Sequence, residues 1–261
     1  MNIRRVQDRG RLAAFFHRDI YLHLYSLGDL DDFFWPYTTW YGLFEGDQLQ
    51  AVVLLYRGGE LPTLLALGNR SLQLTILLRG ISEELPERCY AHLSPGLEDC
   101  FSGNWRIQGE GRHHKMALRN HQPVLEEPVH GVERLTIADQ DEVVRFYRQS
   151  YPGNWFDSRM LHTGQYFGIR TKGKLVSTAG VHVYSPPYGA AALGNIATHP
   201  HFRGRGLGRR VTARCCQSLR AEVDHIGLNV KADNRPALSL YRRLGFEIQA
   251  DYGEFTLQRR V

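Results

Sequence analysis

The sequence predicts an α/β chain made of two copies of one folding unit, and three observations carry the prediction. Tyr41 to Leu55 reads as two short strands around a polar turn at Glu45 to Gln48, and Phe167 to Val181 reads the same way around Lys172 to Lys174. The two segments are in step. Gly42 stands to Gly168, and Leu49 to Leu175, at the offset that also relates Ala66-Leu67-Gly68-Asn69 to Ala192-Leu193-Gly194-Asn195. Four identical residues in a row, in phase with a strand pattern, argue for duplication. Third, in the second half a glycine-rich turn joins the repeated strand to an amphipathic helical pattern.

A chain of 261 residues, 43% hydrophobic and 23% charged, is long enough for one large domain or two small ones. Its composition is globular, not disordered, collagen-like or coiled-coil. The longest apolar stretches, Leu49 to Tyr56 and Leu61 to Leu67, fall far short of the ~20 residues of a membrane span. Met1 to His17 carries Arg4, Arg5, Asp8, Arg9 and Arg11 with no apolar h-region, so a cytoplasmic protein is expected. Cys89, Cys100, Cys215 and Cys216 make no disulfide framework, and the last two are poorly placed to bridge each other, so reduced thiols are expected. The net charge of +5 rests mostly on arginine and suits a polyanionic ligand.

Along the chain, the aromatic run Asp31-Asp32-Phe33-Phe34-Trp35-Pro36-Tyr37 reads as core or packing surface. The first strand pair and Ala66 to Asn69 follow, and then Arg70-Ser71-Leu72-Gln73, without glycines. Asn120 to Gly131 holds two prolines and little periodicity, so it is the expected linker between a first half, 1–125, and a second, 126–261. Tyr147, Tyr151, Trp155 and Phe156 gather near Asp157 and Arg159, and read equally as core or as a pocket border. After the second strand pair and Ala192 to Asn195 comes His199-Pro200-His201-Phe202-Arg203-Gly204-Arg205-Gly206-Leu207-Gly208-Arg209-Arg210. Leu207, Val211, Cys215 and Leu219 then recur at i, i+4, i+8 and i+12, one stripe of a helix. Ile226 to Val230 reads as a strand. In the next helix Asp233 or Asn234 is the cap, Pro236 lies in the first turn and Gly245 follows the end, with Leu240 and Leu244 toward the core and Tyr241 beside that face.

Glycines between a strand and a helix have a physical use. Without a Cβ in the way, successive N–H groups turn inward, and the first turn of a helix adds unpaired donors and partial positive charge. Arg203, Arg205, Arg209, Arg210 and Arg214 bring five cations to the same place, which suits a ligand with several phosphate charges. A dinucleotide fingerprint would need glycine where Arg209 stands, and the Gly-Lys-Ser/Thr of a P-loop is absent. His199-x-His201 and His113-His114 lack an accompanying cysteine or carboxylate set at ligand spacing, so no metal is expected.

The run Arg203-x-x-Gly206-x-Gly208 after Asn195-Ile196-Ala197-Thr198, followed by Asn234 and Leu240-Tyr241-x-x-x-Gly245-Phe246, resembles the GNAT superfamily of acyl-CoA-dependent N-acyltransferases. The resemblance covers Val132 to Val261, and the repeat extends it to the first half as a degenerate GNAT-like copy without the cofactor turn. It implies two halves, each a mixed, mostly antiparallel sheet flanked by helices. It implies acetyl-CoA as acyl donor. Main-chain groups of Ile196, Ala197 and Thr198 would pair with the pantetheine arm. Arg203 and the N–H groups of Gly204, Arg205, Gly206, Leu207, Gly208 and Arg209 would hold the pyrophosphate. Asn234 would contact the cofactor arm, and Tyr241 would be the catalytic acid for the departing thiolate.

Several family members place a glutamate base where Asn229 stands here, and a carboxamide takes no proton at neutral pH. His182, Asp157 and Glu254 are the remaining candidates, beside an ordered water acting on an already deprotonated amine. The expected reaction is acetyl transfer to a primary amine of a small molecule or peptide. Amino-acid conjugation of the glycine N-acyltransferase type and non-catalytic CoA binding stay open. No membrane partner is expected, and nucleic acid is disfavoured because the arginines sit on the phosphate turn without interleaved aromatics.

Overall fold

In the computed structural model, which describes residues 1–260, the chain begins β1 (Asn2–Arg5), α1 (Arg9–Phe16), α2 (Leu24–Gly28), β2 (Thr38–Glu45), β3 (Gln48–Tyr56), β4 (Thr63–Ala66), α3 (Ser71–Gly80), β5 (Arg88–Leu93) and β6 (Trp105–Leu118). It continues α4 (Gln122–Glu126), β7 (Glu133–Leu135), α5 (Gln140–Ser150), β8 (Tyr166–Thr171), β9 (Lys174–Ser185), β10 (Ala190–Thr198), α6 (Leu207–Leu219), β11 (His225–Lys231), α7 (Arg235–Arg243) and β12 (Phe246–Arg259). The hairpins β2–β3 and β8–β9 are the two strand pairs expected from the sequence. The second turns through Lys172 and Gly173, both at positive φ, as a tight hairpin of matching twist requires.

The fold is α/β, with mixed sheets flanked by helices, and the chain forms two compact units. The first comprises Met1–Lys115, Val230–Asp233 and the stretch from Ile248; the second comprises Met116–Asn229 and Asn234–Glu247. In the first unit the strand order is β1-β2-β3-β4-β5-β12-β6. β4 and β5 run parallel, whereas β5 and β12 run antiparallel with Leu93 opposite Gly253 and Arg88 opposite Gln258. Cys89, Ala91 and Leu93 alternate inward from β5 and pack with Leu74, Leu77 and Leu78 of α3 and with Leu257 of β12. The last strand of the chain is thus a structural part of the first unit.

In the second unit the order is β11-β10-β9-β8-β7, with β10 and β11 parallel and the other pairs antiparallel. α6 covers β8, β9 and β10. Val211, Cys215 and Leu219 of the expected stripe are fully buried, and burying Val211 and Leu219 stabilises this packing by about 1.5–3 kcal/mol each. Thr212, Ala213 and Cys216 are buried too, so α6 is enclosed on more than its apolar face, while Leu207 at its start is half-buried. On α7 the core residues are Leu238, Tyr241 and Leu244, and Leu240 is half-buried.

The segment expected to be a linker is partly helical. Pro123 occupies the first turn of α4, where its missing N–H costs nothing, and Val124 is buried. Gln217 Nε2 donates to the Val124 carbonyl at 2.8 Å, so α6 orders the segment through contacts that sequence-local patterns do not carry. All four cysteines are free thiols, and burial pushes Cys89 up to about 12 and raises Cys215 and Cys216 as well. No helix among the described residues is long and apolar enough to cross a membrane.

Candidate functional site

β10 pairs with β11 from Ala190 opposite His225 to Leu193 opposite Leu228, and there the pairing stops although both strands continue. On its other side β10 keeps its ladder with β9, but Gly194 opposes Gly180 and the next pair is Ala197 with Thr178. Asn195 and Ile196 therefore form a bulge against Ala179. Asn195 has φ of +53°, and asparagine is among the few side chains that accept the left-handed region. Gly194 has no such freedom of replacement: a Cβ there would lie 1.9 Å from the His182 ring. From the bulge onward, Ile196, Ala197 and Thr198 border an opening where main-chain groups face no strand on the β11 side.

The chain leaves this opening through a single 3-10 turn, Pro200–Phe202, where His199 Nδ1 accepts the His201 N–H at 3.3 Å. That is a turn role for the histidine pair. Gly204 and Gly206 then adopt φ of +76° and +75°, and a Cβ on either would meet nothing within 4 Å. What these glycines supply is conformation and open space. Gly206 is the N-cap of α6 and offers no side chain, so the first-turn N–H groups, from Leu207 to Arg209, have no side-chain acceptor. Gly208 sits tightly, since a Cβ would come within 3.2 Å of Thr198 Oγ1 and 3.3 Å of Leu240 Cδ1.

Four of the five arginines divide their work. Arg203 Nε donates to the Thr198 carbonyl at 3.2 Å and Arg205 donates to the His201 carbonyl at 3.3 Å, so both brace the turn. Arg209 Nε lies 2.9 Å from Glu127 Oε1, which offsets part of its charge, although the angle completes no hydrogen bond. Arg214 points away, its guanidinium 5.0 Å from the centre of the Phe167 ring. The aromatic group divides as well: buried Tyr147 meets half-buried Phe156 in a tilted contact at 5.0 Å, whereas Tyr151 and Trp155 are about half exposed at 46% and 48%.

Asn234 is the N-cap of α7, its side-chain oxygen accepting the Ala237 N–H at 3.2 Å, and its amide NH2, on an exposed residue, takes no part in that bond. Tyr241, in the last turn of α7, is 7% exposed with its ring 5.9 Å from that of Phe246. Burial raises its phenol pKa, with neighbouring Tyr151 and Cys216 adding to the shift, and no hydrogen-bond partner for its hydroxyl appears among the described residues. It is a protonated donor without an internal acceptor.

The candidate bases separate. Asp157 caps the following turn through the Arg159 N–H at 2.9 Å and is ion-paired with the Arg159 side chain at 2.5 Å. Glu254 lies in the first unit, where His92 and His113 Nε2 approach at 3.4 and 3.3 Å, Tyr252 donates at 2.6 Å, and Tyr90 also donates. Burial works to raise Glu254, yet the two histidines and two hydroxyls hold it below its ordinary value, so its lone pairs are engaged. His182 is half-buried against Gly194. The sequence reading missed the Glu254 cluster because Tyr90 and His92 alternate with small buried residues on a strand it did not identify. It also missed a hydroxyl pair around Asn195, from Tyr147 and Thr178.

A profile of the Acetyltransferase (GNAT) family matches residues 130–246. N-alpha-acetyltransferase RimI of Mycobacterium tuberculosis is 37% identical over 130 residues, which is 46% of this chain and 80% of that protein. An uncharacterized protein of Mycobacterium leprae is 35% identical over 122 residues, 43% of this chain and 33% of its own, so the chain spans about a third of that relative. A tandem GNAT protein from the clavulanic acid biosynthesis pathway has the same fold over 98% of both chains, with a TM-score of 0.57 at 17% identity.

Proposed function

We propose, from the premise that this chain belongs to the acetyltransferase (GNAT) family, that its second half, 126–261, transfers an acetyl group from acetyl-CoA to a primary amine of a small molecule or peptide. The observation that carries the reading is the parting of β10 from β11 after Leu193 and Leu228, leading into left-handed Gly204 and Gly206 at the uncapped start of α6. An extended arm finds strand-like partners at Ile196 to Thr198. A pyrophosphate finds N–H donors from Gly204 to Arg209 and the positive end of a 13-residue helix. Asn234 would present its amide NH2 to the arm.

The bound thioester supplies an electrophilic carbonyl and a thiol leaving group. The acceptor must arrive as a free amine, and Asn229 cannot take its proton, so water or His182 does. As the amine nitrogen bonds to the carbonyl carbon, charge grows on the oxygen, and the Ile196 N–H stabilises it. The C–S bond then breaks, and Tyr241 gives its proton to the thiolate, to be reprotonated from solvent. A neutral phenol with no internal acceptor suits that task. The first half, 1–125, takes no donor in this reading: no Arg-x-x-Gly-x-Gly turn joins Asn69 to α3, and Ser94 Oγ accepts the Gly68 N–H at 3.0 Å. The same proposal assigns the protein to the cytoplasm and makes the N-terminal amine of a peptide the first acceptor to try, as the name of the N-alpha-acetyltransferase RimI relative suggests.

Release of free thiol from acetyl-CoA, followed with peptides bearing a free N-terminus and with small primary amines, tests the reading. Amine-dependent release with acetylated product is expected. Binding of acetyl-CoA with no release for any amine would leave a CoA-binding protein instead, and no binding at all would remove the site.

A further inference from the structure

We infer that Tyr147 and Thr178 are positioning residues for the thioester carbonyl: their hydroxyls hold the Asn195 carbonyl toward α5 and β9 and so aim the Ile196 N–H into the opening beside β11. The inference rests on the acetyl-CoA reading of that opening.

Tyr147 Oη donates to the Asn195 carbonyl oxygen at 2.7 Å. Thr178 Oγ1 lies 3.1 Å from Tyr147 Oη and 3.3 Å from the same carbonyl oxygen, its single proton within reach of either. The Asn195 side chain is fixed as well, its Nδ2 donating to Tyr166 Oη at 3.2 Å while Tyr166 Oη donates to the Val181 carbonyl at 3.0 Å. All four side chains are buried, Asn195 at 4% exposure and Tyr147 at 2%. Burial raises both phenols above their ordinary value, so they remain protonated donors at any pH the enzyme meets.

The direction follows from peptide geometry. A trans peptide places its C=O and the next N–H on opposite sides of the chain. Thr178 belongs to β9, and β10 lies between β9 and β11 in the sheet. The Asn195 carbonyl is held from α5 by Tyr147 and from β9 by Thr178, and α5 packs on β9 and β10, so the N–H of Ile196 turns away from both hydroxyls, on the side where the β10–β11 ladder has ended. Ile196 also falls inside the bulge and takes no place in the register with β9. The donor is thus aimed before any ligand arrives, which is what an electrostatic stabiliser requires.

The chain contains its own comparison. Ala66 to Asn69 repeats the same four residues, but Val52 stands at the position matching Thr178, and Asn69 is not among the described non-glycine residues with positive φ. Where the second hydroxyl is missing, the asparagine does not adopt the bulge conformation.

The test uses the full chain with Tyr147→Phe, Thr178→Val and both together, which remove hydroxyls and keep volume. Calorimetry with CoA and with acetyl-CoA gives a preference ratio that needs no acceptor, and thiol release gives kcat and KM. The expected result is an affinity for CoA within about twofold of wild type, a reduced preference for acetyl-CoA, and kcat lower by about tenfold or more with little change in KM. Thr178→Ser, which keeps the hydroxyl, should recover wild-type values. Unchanged ratio and kcat in the variants would overturn the positioning role while leaving the acetyl-CoA site standing. Equal loss of affinity for both ligands with a lower Tm would mean a structural role only and would overturn it too. A wild type that binds neither ligand would overturn the site reading and this inference together.

Discussion

Gly206 is the position where charge and conformation can be separated. Its φ of +75° costs an L-residue about 1–2 kcal/mol, while the absence of any atom within 4 Å of a Cβ means no clash is added. In Gly206→Asn the strain is small, because asparagine tolerates this region, and no charge is introduced. In Gly206→Glu a carboxylate enters the space in front of the first-turn N–H groups. Against two pyrophosphate charges at about 6 Å, the repulsion is about 1.4 kcal/mol at the dielectric of water and about 5.5 kcal/mol at an effective value near 20. Affinity for acetyl-CoA should fall between about tenfold and ten-thousandfold. Wild-type protein at 100 times Kd gains about 2.7 kcal/mol, which for a chain of this size raises Tm by roughly 5–10 °C. Thermal melts with and without acetyl-CoA should show that rise in wild type, most of it in Gly206→Asn and at most about half of it in Gly206→Glu. A full rise in Gly206→Glu would refute the phosphate assignment.

Three further outcomes are expected. Tyr241→Phe should keep CoA binding while kcat drops by about 100-fold or more; because burial raises this phenol, wild-type kcat/KM should climb with the free-amine fraction and show no falling limb below about pH 10, and equal kcat in both proteins would show the thiolate needs no protein acid. His23 is pushed down to about 3, by burial first and then by the Lys115 charge, so its contribution to stability is complete above pH 6.5 and is lost as pH falls from there toward 3. At pH 5 the loss is about 2 kcal/mol, in a window above that of Glu254, so the urea midpoint at pH 5, taken relative to that at pH 7.5, should rise in His23→Phe against wild type; an unchanged pH slope in that variant would count against it. The fragment Val129 to Val261 should aggregate, because it carries β12 without β5 and bares Phe255 and Leu257; a monodisperse fragment with a normal acetyl-CoA shift would show that the Gly253–Gln258 ladder is dispensable.

What was legible in the sequence carried its signal locally. The β8–β9 hairpin announced itself by Lys172-Gly173, α6 by its four-residue stripe, and α7 by Asn234, Pro236 and Gly245, all of which hold their expected stations. β6 was not legible. Its run Arg106 to Arg112 is largely polar on both faces, so no alternation marks it, and its inward residues Met116 to Leu118 come consecutively at one end. Nor could β12 be assigned a partner, because the ladder that joins Glu254 to His92 links residues far apart in the chain. The same distance hid the Glu254 cluster, whose members come from three strands.

The repeated tetrapeptide shows where local reading stops. Ala-Leu-Gly-Asn occurs twice, yet in one copy the Gly68 N–H is taken by Ser94 Oγ, and in the other Asn195 turns left-handed and its carbonyl is taken by hydroxyls 48 and 17 residues away. Identical residues cannot by themselves specify two conformations; the difference lies in which neighbour offers a hydrogen-bonding partner. A bulge that costs about 1 kcal/mol or more of backbone strain persists only where the surroundings over-determine it. Tyr147 and Thr178 supply that surrounding. The feature separating the two copies is therefore spread over α5, β9 and β10, and substituting hydroxyls on the first two should reshape the third without touching a residue of the repeat.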